Sequence, residues 1–236
     1  MLSMRLLSDN YRHAYLLAAL LMLVALRPFV TPDGGGFGLI DGFLGLALLT
    51  AVANSAHGRG TRYVAIALGL LVIGFRVLSM PADSPLAYTH LFFATMVLFC
   101  GLSAVLLLVH LFEPKACITT DTILGAVNAY LLLGIGWACG YSLLECLEPG
   151  SFDFGERVVE ASRDQFWTFI GFSYTTLTTL GYGNISPMNA RADALATCEA
   201  MLGQFYVAIL VGRLVALQLN QRHTHDVVTA ARKAPR

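Results

Sequence analysis

Charge is scarce in this sequence: Asp, Glu, Lys and Arg make up 13% of it against 56% hydrophobic residues, and fifteen acids balance fifteen bases. Soluble domains carry about 25% charge, so a bilayer rather than water is the expected solvent for most of the chain. Without net basic charge there is no field to gather nucleic acid, and no nucleic-acid partner is expected. Missing as well are an HExxH pair, a nucleophile elbow and a phosphate-binding glycine loop, so neither catalysis nor a cofactor is indicated. The five cysteines show no CxxC spacing and lie mostly in apolar runs, which suits small buried thiols better than a zinc site or a disulfide framework. No small-x-small cleavage signature precedes the turn at Pro32 to Gly36, so the apolar N-terminal stretch reads as a span rather than a removable signal.

What the chain does have is a series of apolar segments, each near the roughly 20 residues needed to cross a hydrocarbon core of about 30 Å. Six are counted: about Tyr15 to Val30, Phe37 to Ala56, Tyr63 to Met80, Leu86 to Phe112, Thr122 to Leu147 and Asp193 to Asn220. The first is the weakest, because Arg27 and Pro28 interrupt it; Pro81 and Pro85 mark the turn between the third and fourth, and Glu113-Pro114-Lys115 stops the fourth. With six spans both termini share a side. That side holds Arg5, Arg12, Arg59, Arg62, Lys115, Arg222, Arg232, Lys233 and Arg236, against Arg27, Arg157, Arg163 and Arg191 on the other. The excess of basic residues makes the termini cytoplasmic. The expected class is therefore an all-α, multi-pass protein of the cell (inner or plasma) membrane, with lipid as a partner.

Between the fifth and sixth spans, Gln165 to Leu177 is too short to cross as a helix and fits a half-membrane helix that dips in and returns. Thr178-Thr179-Leu180-Gly181-Tyr182-Gly183-Asn184 follows at once. The string Thr179-Leu180-Gly181-Tyr182-Gly183 resembles the selectivity filter of the potassium-channel superfamily, which commonly reads Thr-Val-Gly-Tyr-Gly and sits between two transmembrane helices. The chain resembles in particular a bacterial six-helix channel with a two-helix pore domain and no charged voltage sensor. The resemblance implies a re-entrant pore helix, a filter and a tetrameric pore, because one filter strand cannot surround an ion.

A dehydrated potassium ion needs oxygens in place of its water, and stacked backbone carbonyls supply them. Ordinary strand geometry would send successive carbonyls to opposite sides, so the segment needs residues that tolerate left-handed dihedrals, and Gly181 and Gly183 do. By the resemblance, the carbonyls of Thr179, Leu180, Gly181 and Tyr182, with the Thr179 hydroxyl at the inner end, hold the ions. Tyr182 is expected to brace the filter against an aromatic cuff drawn from Trp167, Phe169, Phe172 and Tyr174. Thr175, Thr176, Thr178, Asn184 and Glu199 are the remaining candidates for filter support. Two departures stand out: Leu180 replaces the usual valine, and Asn184 replaces the aspartate that restrains the filter from behind, a bond for which Thr175 is a candidate partner.

Glu199 to Leu214 looks like the inner helix of simple bacterial potassium channels. The resemblance places a hinge at Gly203, with close helix packing as the other reading, and turns Gln204, Val207 and Val211 to the cavity and its exit. It sets Glu199 behind the pore helix, accepting hydrogen bonds from Thr175 or Thr176 or from backbone amides. His90 and His110 in the fourth span are read as packing residues, with pH sensing as the alternative. No Lys or Arg occurs from Val77 to Pro114, so the fourth span lacks gating charges and Arg76 reads as an interfacial anchor.

Three regions are thus expected: a four-helix peripheral domain over 1–116, a pore domain over 117–220, and a short cytoplasmic tail over 221–236, read as disordered and too short for a regulatory domain. Glu148, Asp153, Glu156, Glu160 and Asp164, against Arg157 and Arg163, form a net acidic turret. The expected function is passive, potassium-selective conduction by a homotetramer, not gated by voltage through the fourth helix. A weakly selective cation channel, a secondary transporter and a non-conducting accessory or sensor subunit are the other readings; an inverted repeat, expected of a transporter, is not seen.

Overall fold

The computed structural model describes residues 12–25, 59–79, 86–111, 120–155 and 162–233. They form α1 (Arg12–Ala25), α2 (Arg59–Leu78), α3 (Leu86–Leu111), α4 (Thr120–Leu147), β1 (Phe152–Asp153), α5 (Ser162–Leu177), β2 (Ser186–Pro187) and α6 (Ala190–Lys233). Helices dominate because a chain this apolar leaves backbone groups without water, and a helix satisfies them within one segment. Leu86–Val109, Ile123–Leu147 and Ala190–Arg213 are long and apolar enough to cross a membrane, and they fall in the fourth, fifth and sixth expected spans. His13–Ala25 and Tyr63–Leu78 are shorter apolar helices at the first and third. The second expected span lies outside the described residues.

The helix α4 is the organising element, with α1, α3, α5 and α6 all packed on it. Its small residues, Ala126, Ala129, Ala138 and Cys139, are buried and let neighbours approach closely. Leu16, Leu20 and Leu23 of α1 recur every three or four residues and are buried, the stripe expected of a helix with one packed face. Near its start, Asn128 Nδ2 donates to the carbonyl of His13 at 2.8 Å, and the His13 ring lies over Gly125. On α3, Phe92, Phe93, Met96, Phe99 and Cys100 fill the same core, while α2 packs on α3, with the Arg76 guanidinium 5.7 Å from the centre of the Phe92 ring. A cation over an aromatic face gives Arg76 a definite seat on α3.

Two features differ from the sequence reading. The inner helix does not stop at Asn220 but continues to Lys233, so 221–233 is helical rather than disordered. No proline lies between Pro187 and Pro235, and a helix already nucleated over the preceding turns extends at little cost through Ala, Arg, Gln and Lys. The four described cysteines divide: Cys100 and Cys139 are buried, Cys146 is half-buried, and Cys198 is exposed on α6.

Candidate functional site

The segment after α5 is built by the end of that helix. The Leu180 and Gly181 amides donate to the carbonyl of Thr175, at 2.8 and 3.1 Å, and the Thr179 amide donates to that of Thr176 at 2.9 Å. Thr175 and Thr176 therefore hold the segment through their backbone. Their hydroxyls were the expected support; that of Thr175 instead turns back to the Phe172 carbonyl at 2.9 Å. Thr178 likewise bonds the Tyr174 carbonyl at 2.6 Å, and no hydrogen bond joins Thr175 to Asn184 among the described residues.

The backbone beyond alternates in handedness. Thr179, Gly181 and Gly183 have φ of 58°, 54° and 72°, with Leu180 and Tyr182 between them at negative φ. Alternating left- and right-handed residues turn successive peptide planes the same way, which a regular strand does not do. The two glycines meet this demand without a Cβ penalty, but Thr179 meets it as a β-branched residue, an uncommon conformation that surrounding contacts must hold. Those contacts are the Thr176 carbonyl on its amide and, on its hydroxyl, the Thr178 carbonyl at 2.7 Å and the Gln204 side-chain amide, whose Nε2 lies 3.2 Å away. The whole run from Thr178 to Asn184 is exposed in the single chain, Leu180 at 57% and Tyr182 at 73%.

The aromatic residues of α5 do not gather around Tyr182 within one chain. Phe169 and Phe172 pack on Tyr141 of α4 and on Phe152 of β1, with ring centres 4.9 to 6.0 Å apart. Tyr174 lays its ring on Gly134 and donates its hydroxyl to the Leu131 carbonyl at 2.8 Å. Trp167 is buried against Phe166. Three of the four cuff candidates thus fasten the short helix to α4, leaving Trp167 as the remaining one.

Glu199 stands behind α5 as expected, but with other partners. Tyr141 donates to its Oε2 at 2.5 Å, and Ser173 Oγ lies 2.5 Å from Oε1 and 2.8 Å from the carbonyl of Gly134. The threonines are not involved, because Ser173 is the residue of α5 that faces both α4 and α6. Gly203, one turn further along α6, packs closely on the carbonyl of Leu177, and α6 runs helical through it. Val207 and Val211 are exposed on α6.

A clasp that sequence reading missed closes the other end. Glu145, near the end of α4, is buried and accepts the amides of Gly150 at 2.8 Å and Phe152 at 3.1 Å. β1 pairs antiparallel with β2, Phe152 opposite Pro187, and Met188 N donates to Ser151 O at 2.8 Å. Asn189 caps α6 through the Ala192 amide at 2.9 Å and donates to Ser151 Oγ. Arg191 pairs with Glu148, neutralising one acid of the expected turret; the side chains of Glu156, Glu160 and Asp164 lie outside the described residues, as does that of His110. The only sequence signal for this clasp was an acidic residue inside an apolar span.

Residues 129–218 match the family model described as Ion channel. The matched stretch begins within α4 and ends within α6, so it takes in the short helix, the alternating segment and Glu199, and it supports a channel function for this part of the chain. No curated protein matches the sequence.

Proposed function

We propose that four copies of this chain surround a potassium-selective pore, with Thr179, Leu180, Gly181, Tyr182 and Gly183 as its filter. The observation that carries the reading is the alternating handedness over Thr179 to Gly183 in a segment exposed along its whole length within the single chain. A run of carbonyls turned the same way has no hydrogen-bond donor among the described residues, whereas four such runs about an axis supply rings of oxygen that replace an ion's water. The second support is α6: only 11% of its most apolar window is buried within the chain, against 44% and 50% for the other two long spans. Its uncovered face carries Met201, Leu202, Phe205 and Ile209 for neighbouring copies, with Gln204, Val207 and Val211 towards a cavity.

In this reading the protein crosses the cell membrane six times with both termini cytoplasmic. Potassium passes down its gradient, and the peripheral helices do not sense voltage, since α3 carries no Lys or Arg. Asn184 leaves the outer mouth one carboxylate poorer than is usual in the family this pore resembles.

The test is ion flux from liposomes holding the purified full-length protein, with potassium against sodium gradients, barium as blocker and Gly181→Ala as control. Alanine at a φ of 54° is strained by about 1–2 kcal/mol in each of four strands. Barium-sensitive flux favouring potassium and lost in Gly181→Ala is the expected result. Equal sodium and potassium flux would overturn the selectivity, and a mass other than four protomers by native mass spectrometry would overturn the assembly.

A further inference from the structure

Glu199 is fully buried at the meeting of three helices, and the hydrogen atoms available there can be counted. Ser173 Oγ has one hydrogen but two oxygens within reach: the Gly134 carbonyl at 2.8 Å and Glu199 Oε1 at 2.5 Å. Tyr141 also has one, and its acceptor among the described residues is Glu199 Oε2 at 2.5 Å. If Glu199 were a carboxylate, Ser173 would have to spend its hydrogen on Oε1, leaving its approach to Gly134 O without a proton. The charge would also sit in the core on two neutral donors.

Among the described residues the groups facing it offer no cation. From α4 they are Tyr141 and, farther off, Tyr130; from α5, Ser173 and Tyr174; and on α6 itself Cys198 lies nearby. An unpaired buried charge is among the most expensive things a core can hold. A proton on Oε1 resolves both difficulties. Oε1–H donates to Ser173 Oγ, Ser173 O–H donates to the Gly134 carbonyl, and Tyr141 O–H donates to Oε2, so every hydrogen has an acceptor and no charge remains.

We propose that Glu199 works as a neutral carboxylic acid, a positioning residue whose relay to Ser173, Gly134 and Tyr141 fixes α5, and the segment that follows it, between α4 and α6. This rests on the pore reading for what the positioning serves, but not for the protonation itself. The side chain touches no ion; it acts through the helix that carries Thr179.

The decisive comparison is Glu199→Gln against Glu199→Ala in the full-length protein. Glutamine can donate from its amide nitrogen to Ser173 and accept from Tyr141, reproducing the neutral relay; alanine leaves a cavity and severs the two bonds that Glu199 makes. Flux and thermal midpoint should survive in Glu199→Gln, with flux within about twofold of the parent, and flux should fall by at least about tenfold in Glu199→Ala. A glutamine variant as damaged as the alanine one would overturn the proposal, since a carboxylate would then be required. Infrared difference spectra of the protein in lipid supply a readout that needs no conduction. The parent at neutral pH should show the carbonyl stretch of a protonated carboxylic acid that Glu199→Gln lacks, and identical spectra from the two would overturn it. A protein that shows this band yet carries no potassium would refute the pore reading and leave the neutral acid standing.

Discussion

Gly203 of α6 lies against the carbonyl of Leu177, the last residue of α5, with no room for a side chain between them. A methyl group built on Gly203 collides with that oxygen and comes within 2.9 Å of its carbon and 3.2 Å of the Leu177 Cα. The obstacle is backbone and cannot rotate aside. It is also the backbone from which the alternating segment departs, so the two helices can only separate or the segment shift.

Gly203→Ala is therefore expected to destabilise each protomer by about 1–3 kcal/mol, the usual range for overpacking, and to lower the thermal midpoint of the purified protein. Gly212→Ala is the control, since nothing lies within 4 Å of the added methyl there. If Gly203 served only as a hinge, the alanine variant would melt at the parent temperature and lose flux alone.

A second glycine contact predicts a coupling. Tyr174 is pinned by its hydroxyl to Leu131, and its ring occupies the place where a Cβ on Gly134 would go. Gly134→Ala should destabilise the protein by about 1–3 kcal/mol, and Tyr174→Ala by about 3–5 kcal/mol. The pair should cost less than the sum, because removal of the ring makes room for the methyl, with a coupling of about 0.5–3 kcal/mol. Thermal or denaturant unfolding of the four proteins measures it, and simple additivity would refute the contact.

How much of this was legible beforehand depended on the kind of signal. The short helix from Gln165 and the five residues after Thr178 could be read because a half-length helix and a Gly-x-Gly string are local features. The left-handed turn of Gly181 and Gly183 followed from the same logic, but that of Thr179 did not, since nothing in a threonine advertises positive φ. Glu199 was marked by being an acid in an apolar run, yet its partners were misjudged. Choosing Ser173 over Thr175 requires knowing which side of α5 faces both α4 and α6, and two neighbouring helices decide that. Glu145 carried the same signal and went unused, because the donors it accepts from are amides in a loop that no pattern names. The continuation of α6 beyond Asn220 was missed because a fall in hydropathy marks the end of a span, not the end of a helix.

The clasp separates a buried carboxylate from an exposed one. Glu145 accepts the part-buried amide of Gly150 and the buried amide of Phe152, so Glu145→Ala should leave Phe152 N unsatisfied at about 1–3 kcal/mol. The pair between Arg191 and Glu148 is 72% and 36% exposed, and exposed pairs contribute about 0–1 kcal/mol. Glu145→Ala is thus expected to lower the thermal midpoint by several degrees while Arg191→Ala leaves it nearly unchanged. A larger loss from Arg191→Ala would mean that the ion pair, not the buried acceptor, holds β1 to β2.

At the inner end of the segment the question is what the Thr179 hydroxyl is free to do. It donates to the Thr178 carbonyl and receives the amide of Gln204, so one of its two lone pairs is engaged by α6. In the proposed pore this hydroxyl lines the innermost ion site, where a dehydrated divalent cation such as barium would compete with Gln204 for the oxygen's electron density. Gln204→Leu keeps the bulk of the side chain and removes the donor. A neutral hydrogen bond is worth about 0.5–1.5 kcal/mol, so release of the oxygen should tighten barium block from the cavity side by about 2- to 10-fold. Potassium flux without barium should change little, because the backbone carbonyls are untouched. Block of unchanged affinity in Gln204→Leu would show that α6 does not reach Thr179 in the assembled, conducting protein.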